Sequence, residues 1–463
     1  MKLIKEGDEP VAKVIGPKPA EPGKVYRWSD FAFLQRFEGK DYLYNNFTKR
    51  IYRLDGENLE VNSEKRYSYE EIIGDDALKT LADDSFLVPQ DKNESEVYVG
   101  YCKIARMMKM RDRGFSSFVV LPTTACNARC IYCYEQGIEY VTMNDETVAQ
   151  TVEFIKKARD PKKKVNFIWF GGEPLVGERF IDRICAELSK ADIPFSSIMI
   201  SNGSLITESN LKKIKDDWKV HYIQITLDGV EEEYNRRKNY YFDYASAYWH
   251  VLSRIKLINE SGIRLNIRVN VDEGNIDGVM EMMQDVKNFI VDPGLITFDL
   301  APLFDLQSGD SCIPIWDKTF RISEEIMRMG FHINAHYKTK KAKYHHCMAD
   351  TPYRSIVIAP DGKLYHCEHI GALECAGDIW NGVTNLEQQK SLNMVEPVSE
   401  KCQGCFSLPQ CTTFSRCTQS KLDCRYVARK RMERAVVRQL RNIKNHSESL
   451  ENAEDTDNET DDC

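Results

Sequence analysis

The chain of 463 residues lacks any long apolar run. No segment approaches the roughly 18 consecutive apolar residues that a membrane helix needs, which excludes a helical membrane protein. The opening MKLIKEGDEP carries acidic residues where a secretory signal peptide would be apolar. A composition of 42% hydrophobic and 29% charged residues is typical of a soluble protein with two to four domains. We therefore expect a cytoplasmic protein with no membrane partner.

The chain also has little net charge outside its C-terminal end. Residues 446–463 hold eight Asp or Glu and no Lys or Arg, so the net charge of −8 becomes −8 + 8, or zero, without them. Their low apolar content predicts a disordered acidic tail.

A basic segment precedes this tail. Residues 425–444 contain eight Lys or Arg and one acid. Apolar residues recur there near helical spacing, at Val427, Met432, Val436, Leu440 and Ile443. The pattern predicts a surface helix with a basic outer face. Such a face can bind RNA or an acidic peptide, although a solvated helix face is the commoner outcome.

Cysteine is abundant for a cytoplasmic chain. Disulfides are rare in that compartment, so the 15 cysteines point to metal binding. Three of them form Cys126-x3-Cys130-x2-Cys133, and eight more crowd into residues 347–424. We therefore predict two separate metal regions.

The N-terminal part reads as an arm followed by a small α/β module. Residues 1–24 contain four prolines and three glycines and predict a loose arm. The aromatic and β-branched stretches that follow predict two strands with a polar turn between them. Residues 68–83 look helical, and the stretches at 85–90 and 95–99 predict a β wing, which favours a winged-helix-like module ending near residue 110.

From residue 116 onward, short apolar runs alternate with longer amphipathic segments. One of these segments has Val148, Val152 and Ile155 at helical spacing. The predicted strands are 117–122, 165–170, 197–201, 222–227, 265–271 and 295–300. Six βα units in series predict a parallel sheet with right-handed crossovers, either an open doubly wound sheet or a partial barrel. In both, chemistry belongs in the loops at the C-terminal strand ends.

The sequence motifs fall at those strand ends. The cysteine triplet follows the first strand, Gly171-Gly172-Glu173-Pro174 the second, and Ser201-Asn202 the third. A structural zinc site normally closes with four protein ligands, and the triplet lacks a fourth. A four-iron cluster held by three cysteines keeps one iron open for a substrate or cofactor.

This combination resembles the radical S-adenosylmethionine (SAM) superfamily. Cys126, Cys130 and Cys133 match its signature, and Tyr132 takes the aromatic position before the third cysteine. The resemblance implies a partial (β/α)6 TIM-like barrel. It also implies that SAM binds the open iron and is cleaved reductively to a 5′-deoxyadenosyl radical, which removes hydrogen from carbon. A zinc enzyme is the alternative.

The resemblance also implies which residues bind SAM. The Gly171–Pro174 motif would meet the SAM ammonium group, since glycines admit close backbone approach and a carboxylate complements a cation. Taken alone, Gly-Gly and Asn-Gly are turn signals. The full predicted set is Tyr132, Gly171, Gly172, Glu173, Pro174, Ser201, Asn202, Asp228, Arg268 and Asn270.

The second cysteine region resembles the SPASM extension, which carries two auxiliary four-iron clusters. The outer cluster would use Cys402, Cys405, Cys411 and Cys424, and the inner one Cys347, Cys367 and Cys417. The Cys411-x5-Cys417 spacing is longer than usual, and no cysteine lies shortly before Cys347. Candidates for the fourth ligand of the inner cluster are Cys312, Cys375, His345 and His346. Alternatively, the inner cluster keeps one iron open. For residues 402–424, the alternative is a zinc ribbon.

In related maturases an acid directly after the second inner cysteine deprotonates the substrate radical. Glu368 holds that position and is the predicted general base. An exposed or capping role fits Glu368 equally well, and Asp299, Asp305 and His366 compete for the base role.

The resemblance therefore implies a maturase of ribosomally made, post-translationally modified peptides (RiPPs). It would bind SAM and three [4Fe-4S] clusters and install a thioether or carbon–carbon crosslink, with flavodoxin or ferredoxin as electron donor. Alternatives are a formylglycine-forming sulfatase maturase and a zinc-dependent nucleic-acid-binding protein. The predicted organisation is an arm at 1–24, a leader-binding, RRE-like module at 25–110, the barrel at 111–325, the SPASM domain at 326–430, and the helix end and tail at 431–463.

Overall fold

The computed structural model describes residues 1–5, 19–55, 64–110, 114–242, 244–303, 313–334, 342–345, 349, 351, 353–370, 374–411 and 424–458. They form two compact units. The first comprises Met1–Ala105, Ala335–His346 and Val395–Cys463, and the second Arg106–Asn334 and Cys347–Met394. Five candidate residues lie outside the described part of the chain: Asp305, Cys312, His346, Cys347 and Cys417.

The N-terminal part of the first unit contains two antiparallel sheets. Its strands are β1 (Lys2–Lys5), β2 (Tyr26–Trp28), β3 (Ala32–Phe37), β4 (Lys40–Asn45), β5 (Ile51–Leu54), β6 (Arg66–Tyr67) and β7 (Leu87–Pro89). The helices are α1 (Tyr69–Ile73), α2 (Asp76–Asp83) and α3 (Glu94–Lys109). One sheet has the order β1-β5-β4-β3 and the other β6-β2-β7, so β3 is an outer strand of its sheet.

The predicted β wing is wrong in its second half, because residues 95–99 lie in α3. A short apolar stretch cannot by itself distinguish strand from helix. In the structure Tyr98 and Cys102, four residues apart, are both buried in one apolar cluster, which is the spacing of one helix face.

The second unit is built on one large sheet. Its strands are β8 (Ser117–Val120), β9 (Val165–Trp169), β10 (Phe195–Ser201), β11 (Val220–Thr226), β12 (Arg264–Val271), β13 (Ile296–Pro302), β14 (His332–Ile333), β15 (Ser355–Ile358), β16 (Lys363–Tyr365), β17 (Gly377–Asp378) and β18 (Gly382–Val383). The sheet order is β14-β13-β12-β11-β10-β9-β8-β15-β16-β17-β18. All pairings from β14 to β15 are parallel, and those from β15 to β18 are antiparallel.

The six predicted strands correspond to β8–β13, and the predicted parallel sheet is confirmed. The helices of this unit are α4 (Asp145–Ala158), α5 (Glu178–Lys190), α6 (Glu208–Asp216), α7 (Glu231–Lys238), α8 (Ala247–Glu260), α9 (Val279–Phe289), α10 (Ile313–Arg328) and α11 (Leu386–Asn393). Val148, Val152 and Ile155 of α4 are buried in the main core, as their spacing predicts. This mixed α/β architecture is consistent with a TIM-like fold, and it brings the C-terminal ends of β8–β13 to one edge of the sheet.

The C-terminal part of the first unit contains α12 (Leu408–Cys411) and α13 (Cys424–Asn458). Met432, Val436 and Leu440 of α13 pack with Phe33 and Tyr44 of the N-terminal sheet, which confirms the predicted helix. The sequence predicts disorder from residue 446, whereas α13 is described as far as Asn458. Residues 424–458 contain no Gly or Pro that would end a helix. No helix in the described ranges is long and apolar enough to cross a membrane.

Candidate active site

The three cysteines of the triplet lie in the loop that follows β8. The loop is anchored by backbone hydrogen bonds from Thr124 to Val141 (2.9 Å) and from Met143 to Pro122 (3.0 Å). The Cys126, Cys130 and Cys133 thiols are all partly buried.

Burial raises the pKa of Cys126 to about 12, and the negative charges of Glu173, Cys130 and Cys133 act in the same direction. Burial also raises the pKa of Cys133. Among the described residues, no three or more Cys, His, Asp or Glu side chains stand in a metal-coordinating arrangement. The donor set nevertheless fits an iron–sulfur cluster, because three neighbouring cysteines can supply the thiolate ligands that such clusters take.

The predicted glycine pair allows the end of β9 to approach the cysteine loop. Gly172 and Glu173 donate backbone hydrogen bonds to Thr123 (3.2 Å) and Ala125 (3.0 Å). Gly171 has a φ of +120°, and a Cβ there would lie 2.3 Å from the Thr123 carbonyl oxygen. A Cβ on Gly172 would lie 2.4 Å from the Ala125 carbonyl oxygen. Both positions therefore require glycine.

The Glu173 carboxylate links β9 to the end of β10. It is fully buried. Its oxygens accept hydrogen bonds from Leu175 N (3.1 Å), Ser201 Oγ (2.9 Å) and Asn202 N (2.7 Å). Burial raises the pKa of Glu173 to about 7, against the opposing effect of these hydrogen bonds. Pro174 begins the short 3-10 helix Pro174–Gly177 that follows. The carboxylate therefore positions the Ser201-Asn202 turn.

Asn202 connects this turn to the cysteine loop. Its Nδ2 donates to Asn127 Oδ1 at 2.7 Å and lies 3.9 Å from Cys126 Sγ. Asn127 in turn donates to Ser204 Oγ at 2.8 Å. The sequence prediction missed Asn127, although its position directly after the first cysteine could have signalled it.

The ends of β11 and β12 meet the loop through Asp228, which is fully buried. Its Oδ1 accepts from Asn270 N at 2.8 Å, and the Tyr132 hydroxyl donates to its Oδ2. Arg268 donates to Asn270 Oδ1 at 3.1 Å and to Asp299 Oδ2 at 3.2 Å. Burial raises the pKa of Tyr132, so the phenol is a neutral donor. Tyr132, Asp228, Asn270 and Arg268 thus form one network, as the sequence predicts of residues at adjacent strand ends.

Lys238, which the sequence prediction missed, adds a buried cation to this network. Its side chain is 3% exposed, and Nζ lies 3.5 Å from Asp228 Oδ2 and 5.4 Å from the centre of the Tyr132 ring. Burial acts to lower the pKa of Lys238, but electrostatic interactions with Tyr132, Asp228 and Cys130 outweigh burial and raise the pKa. Because Lys238 ends the run Arg-Arg-Lys, the sequence pattern predicts an exposed side chain, and nothing in the sequence indicated that it is buried at the site.

The C-terminus of α7 also holds the cysteine loop in place. Arg129 N donates to Lys238 O at 3.0 Å, and Ile131 N donates to Arg237 O at 3.0 Å. The Arg129 guanidinium lies 4.2 Å from the centre of the Tyr241 ring. The contact between Arg129 and Tyr241 and the two backbone hydrogen bonds hold the segment between Cys126 and Cys133 in place.

The predicted base Glu368 also lies near the cysteine loop. Cys367 Sγ is 3.9 Å from Glu368 Oε2. The His369 ring stacks on Tyr134 of the loop, with ring centres 4.0 Å apart and planes at 24°. Burial raises the pKa of Tyr134, and the negative charges of Glu135, Glu368, Cys133 and Cys367 add to the effect. The structure therefore brings Cys367 and Glu368 to the same neighbourhood as Cys133.

The competing candidates differ in their surroundings. His366 is 5% exposed, and its Nε2 has no hydrogen-bond partner among the described residues. Burial lowers the pKa of His366, which favours neutral imidazole. Cys375 donates to the carbonyl oxygens of Gly377 (3.0 Å) and Leu364 (3.5 Å), a role within the hairpin.

The predicted outer cysteines lie in the first unit. Cys402 and Cys405 bracket a turn in which Cys405 N donates to Cys402 O at 3.1 Å. Burial raises the pKa of Cys405. The nearby Cys411 and Cys424 raise this pKa further, whereas Arg425 lowers it. The four cysteines 402, 405, 411 and 424 are therefore neighbours, while Cys417 lies outside the described residues.

Comparison with known proteins agrees with this geometry. The family model described as the Radical SAM superfamily matches residues 120–286. The serine-type anaerobic sulfatase-maturating enzyme of Klebsiella aerogenes is 30% identical over 122 residues, which are 24% of this chain and 29% of that enzyme. The antilisterial bacteriocin subtilosin biosynthesis protein AlbA of Bacillus subtilis is 23% identical over 261 residues, which are 53% of each chain. This chain thus spans about half or less of both relatives.

A solved structure shares the fold. The enzyme anSMEcpe with bound AdoMet superposes with a TM-score of 0.55 at 18% identity, covering 71% of this chain and 99% of the other. At that identity the likeness concerns the fold alone. The family match, the parallel sheet and the cysteine loop agree: this chain contains a radical SAM domain over residues 120–286, with relatives among the maturases.

Proposed function

We propose that the protein is a radical SAM peptide maturase that installs a thioether or carbon–carbon crosslink in a ribosomally made precursor peptide. The observation that carries the proposal is the joining of the cysteine loop to the Gly-Gly-Glu and Ser-Asn turns through Glu173 and Asn202. This places three thiols beside polar groups that can bind a zwitterionic amino acid.

The chain's own residues would hold and orient the cofactors. Cys126, Cys130 and Cys133 would hold a [4Fe-4S] cluster, which with SAM supplies one-electron reductive cleavage and a hydrogen-abstracting radical. The Gly171–Pro174 motif would accept the SAM ammonium through its backbone, because the Glu173 carboxylate is already engaged. Lys238 supplies a fixed positive charge against the thiolates or a substrate carboxylate.

The later steps would use the predicted auxiliary residues. Cys347, Cys367 and Cys417 would hold the inner cluster, and Cys402, Cys405, Cys411 and Cys424 the outer one, as an outlet for the second electron. Glu368 would remove a proton from the substrate, which its position beside Cys367 supports. A small electron donor such as flavodoxin or ferredoxin would supply the first electron.

A peptide substrate is supported by the relatives. AlbA is named for biosynthesis of the bacteriocin subtilosin, and anSMEcpe was also solved with AdoMet and the Kp18Cys peptide. In this chain β3 is an outer strand of its sheet, and an extended leader peptide can add to such an edge. The module at 25–110 would therefore bind the leader.

The test is anaerobic co-expression with a short peptide encoded beside the gene, followed by intact mass measurement. The control is Cys126→Ala. Loss of hydrogen pairs from the peptide with the wild-type protein alone is expected, together with 5′-deoxyadenosine production from SAM. A variant that still makes 5′-deoxyadenosine would refute the site.

The second candidate is a formylglycine-forming sulfatase maturase, favoured by the 30% identity to such an enzyme over 122 residues. Incubation with a sulfatase-derived peptide containing the target Ser or Cys separates the two. An aldehyde on that peptide, with an unchanged precursor peptide, would favour the second candidate.

A further inference from the structure

The first unit contains a cavity of about 670 Å³. Its walls are residues 28–30 and 32–34, the turn 404–406, and Arg425 and Arg429 from the start of α13. Cavities of roughly 300–1,000 Å³ are typical of ligand sites. The basic face of α13, to which the sequence assigns no definite partner, thus lines a space between β3 and the Cys402–Phe406 turn.

The charges of the lining favour an anion. The Arg425 guanidinium donates to the carbonyl oxygens of Lys401 (2.8 Å) and Gln403 (3.3 Å) and has no carboxylate partner in the described part of the chain. Arg429 pairs with Glu433 at 3.0 Å. The single acid of the lining, Asp30, is paired with Arg27 at 2.9 Å. Among the Asp, Glu, Lys and Arg side chains of the lining, the uncompensated charge is therefore that of Arg425.

The apolar part of the lining favours a peptide over a nucleic acid. Phe33, Leu34 and Phe406 line the cavity beside the two arginines, and β3 offers the backbone groups of an outer strand. An extended peptide can place apolar side chains on such walls and pair with a strand edge, whereas RNA offers mainly phosphates and stacking bases.

The cavity also touches a predicted cluster ligand. Cys405 lines it, and its turn is held by the N-terminal module, since Ser95 Oγ accepts from Gly404 N (3.2 Å) and Asn46 Nδ2 donates to Phe406 O (2.6 Å). A ligand here would therefore contact the outer cysteine turn directly.

We infer that this cavity binds a carboxylate-bearing segment of the peptide substrate, with the Arg425 and Arg429 guanidinium groups as donors. The inference rests on the proposed function. It adds that acidic residues in the precursor select this enzyme and that the bound segment packs against the Cys402–Phe406 turn.

The test measures fluorescence anisotropy of fluorescein-labelled pentapeptides with the full-length protein, without SAM or reductant. The probes are Leu-Glu-Glu-Leu-Val and the matched Leu-Gln-Gln-Leu-Val, both with blocked C-termini. We expect the acidic peptide to bind roughly tenfold more tightly at low salt, with the difference shrinking at high salt. Arg429→Gln should weaken acidic-peptide binding roughly threefold, and Arg425→Gln at least as much.

The matched control is Arg441→Gln, which removes an exposed arginine of the same helix outside the cavity and should change nothing. Because Arg425→Gln removes contacts that hold a turn, Arg429→Gln decides the outcome if the Arg425→Gln variant unfolds. Equal binding of the two peptides, equal effects of Arg429→Gln and Arg441→Gln, or tighter binding of a hexauridine competitor would each overturn the inference. SAM cleavage is assayed separately, so failure of the radical chemistry is distinguishable from failure of this site.

Discussion

Glu173 shows how a single buried acid can organise the site. Its carboxylate joins two loops through three hydrogen bonds, yet burial raises its pKa to about 7. An ordinary Glu in an unfolded chain titrates near 4.3. Since the folded pKa is the higher one, the stabilising contribution is complete below the unfolded pKa and is lost as pH rises through the folded pKa.

We predict that the free energy of unfolding of the wild type falls relative to Glu173→Gln between about pH 4.5 and 7.5. At 1.36 kcal/mol per pKa unit, the rise in the Glu173 pKa on folding corresponds to a loss of free energy of unfolding on the order of 3 kcal/mol over this pH range. Urea unfolding across this range measures it. Glu273, an exposed acid of the same unit, provides the control Glu273→Gln for the removal of a carboxylate at the surface. A wild type that gains stability relative to Glu173→Gln as pH rises would contradict the prediction.

Some individual residues were predictable and others were not. Cys126, Cys130 and Cys133 were identifiable because their spacing is local and chemically specific. Lys238 was not, because its burial depends on Asp228 and Tyr132, ten and 106 positions away along the chain. Its run of basic neighbours indicates a solvated face instead.

At the scale of elements, the end of β9 and the cysteine loop are in backbone contact. Only residues without a Cβ permit that approach, because a Cβ added to Gly171 would lie 2.3 Å from Thr123 O. The loop and the strand end therefore behave as one element.

We predict that Gly171→Ala destabilises the protein by more than about 3 kcal/mol and displaces the cysteine loop, because it combines backbone strain with a steric clash. Gly262→Ala is the matched control. Gly262 also has a positive φ, +79°, but nothing lies within 4 Å of its Cβ position. It should cost only about 1–2 kcal/mol. Thermal unfolding measures the stability of both variants. If Gly171→Ala and Gly262→Ala destabilise the protein equally, the clash predicted at position 171 is relieved and the prediction is wrong.

Elements with strong periodicity were predictable, and short ones were not. The six strands β8–β13 have apolar runs bounded by turns, so their positions followed from sequence. Residues 95–99 have too few positions to distinguish a strand from the helix α3 in which they lie.

At the scale of the whole molecule, each compact unit is assembled from separate parts of the chain. The first unit joins the N-terminal module to residues 395–411 and to α13, whose apolar face packs on Phe33 and Tyr44. That face ends at Leu440 among the described side chains of the cluster.

We predict that truncation after Asn445 leaves the free energy of unfolding within about 0.5 kcal/mol of the full chain, because the packed face of α13 is retained. Met432→Ala should instead cost about 2–5 kcal/mol, since Met432 is fully buried. Chemical unfolding of both proteins provides the comparison. Strong destabilisation by the truncation would show that residues 446–463 contribute to folding.

The sequence by itself determined the strand positions, the parallel sheet and the cysteine triplet, because periodicity and ligand spacing are local properties of the chain. It also placed the motifs at strand ends, since parallel strands bring those ends to one edge. Only the tertiary structure decided that Lys238 is a buried cation beside Asp228 and that residues 395–411 join the N-terminal module. Those outcomes depend on contacts between residues far apart in sequence, which no local pattern encodes.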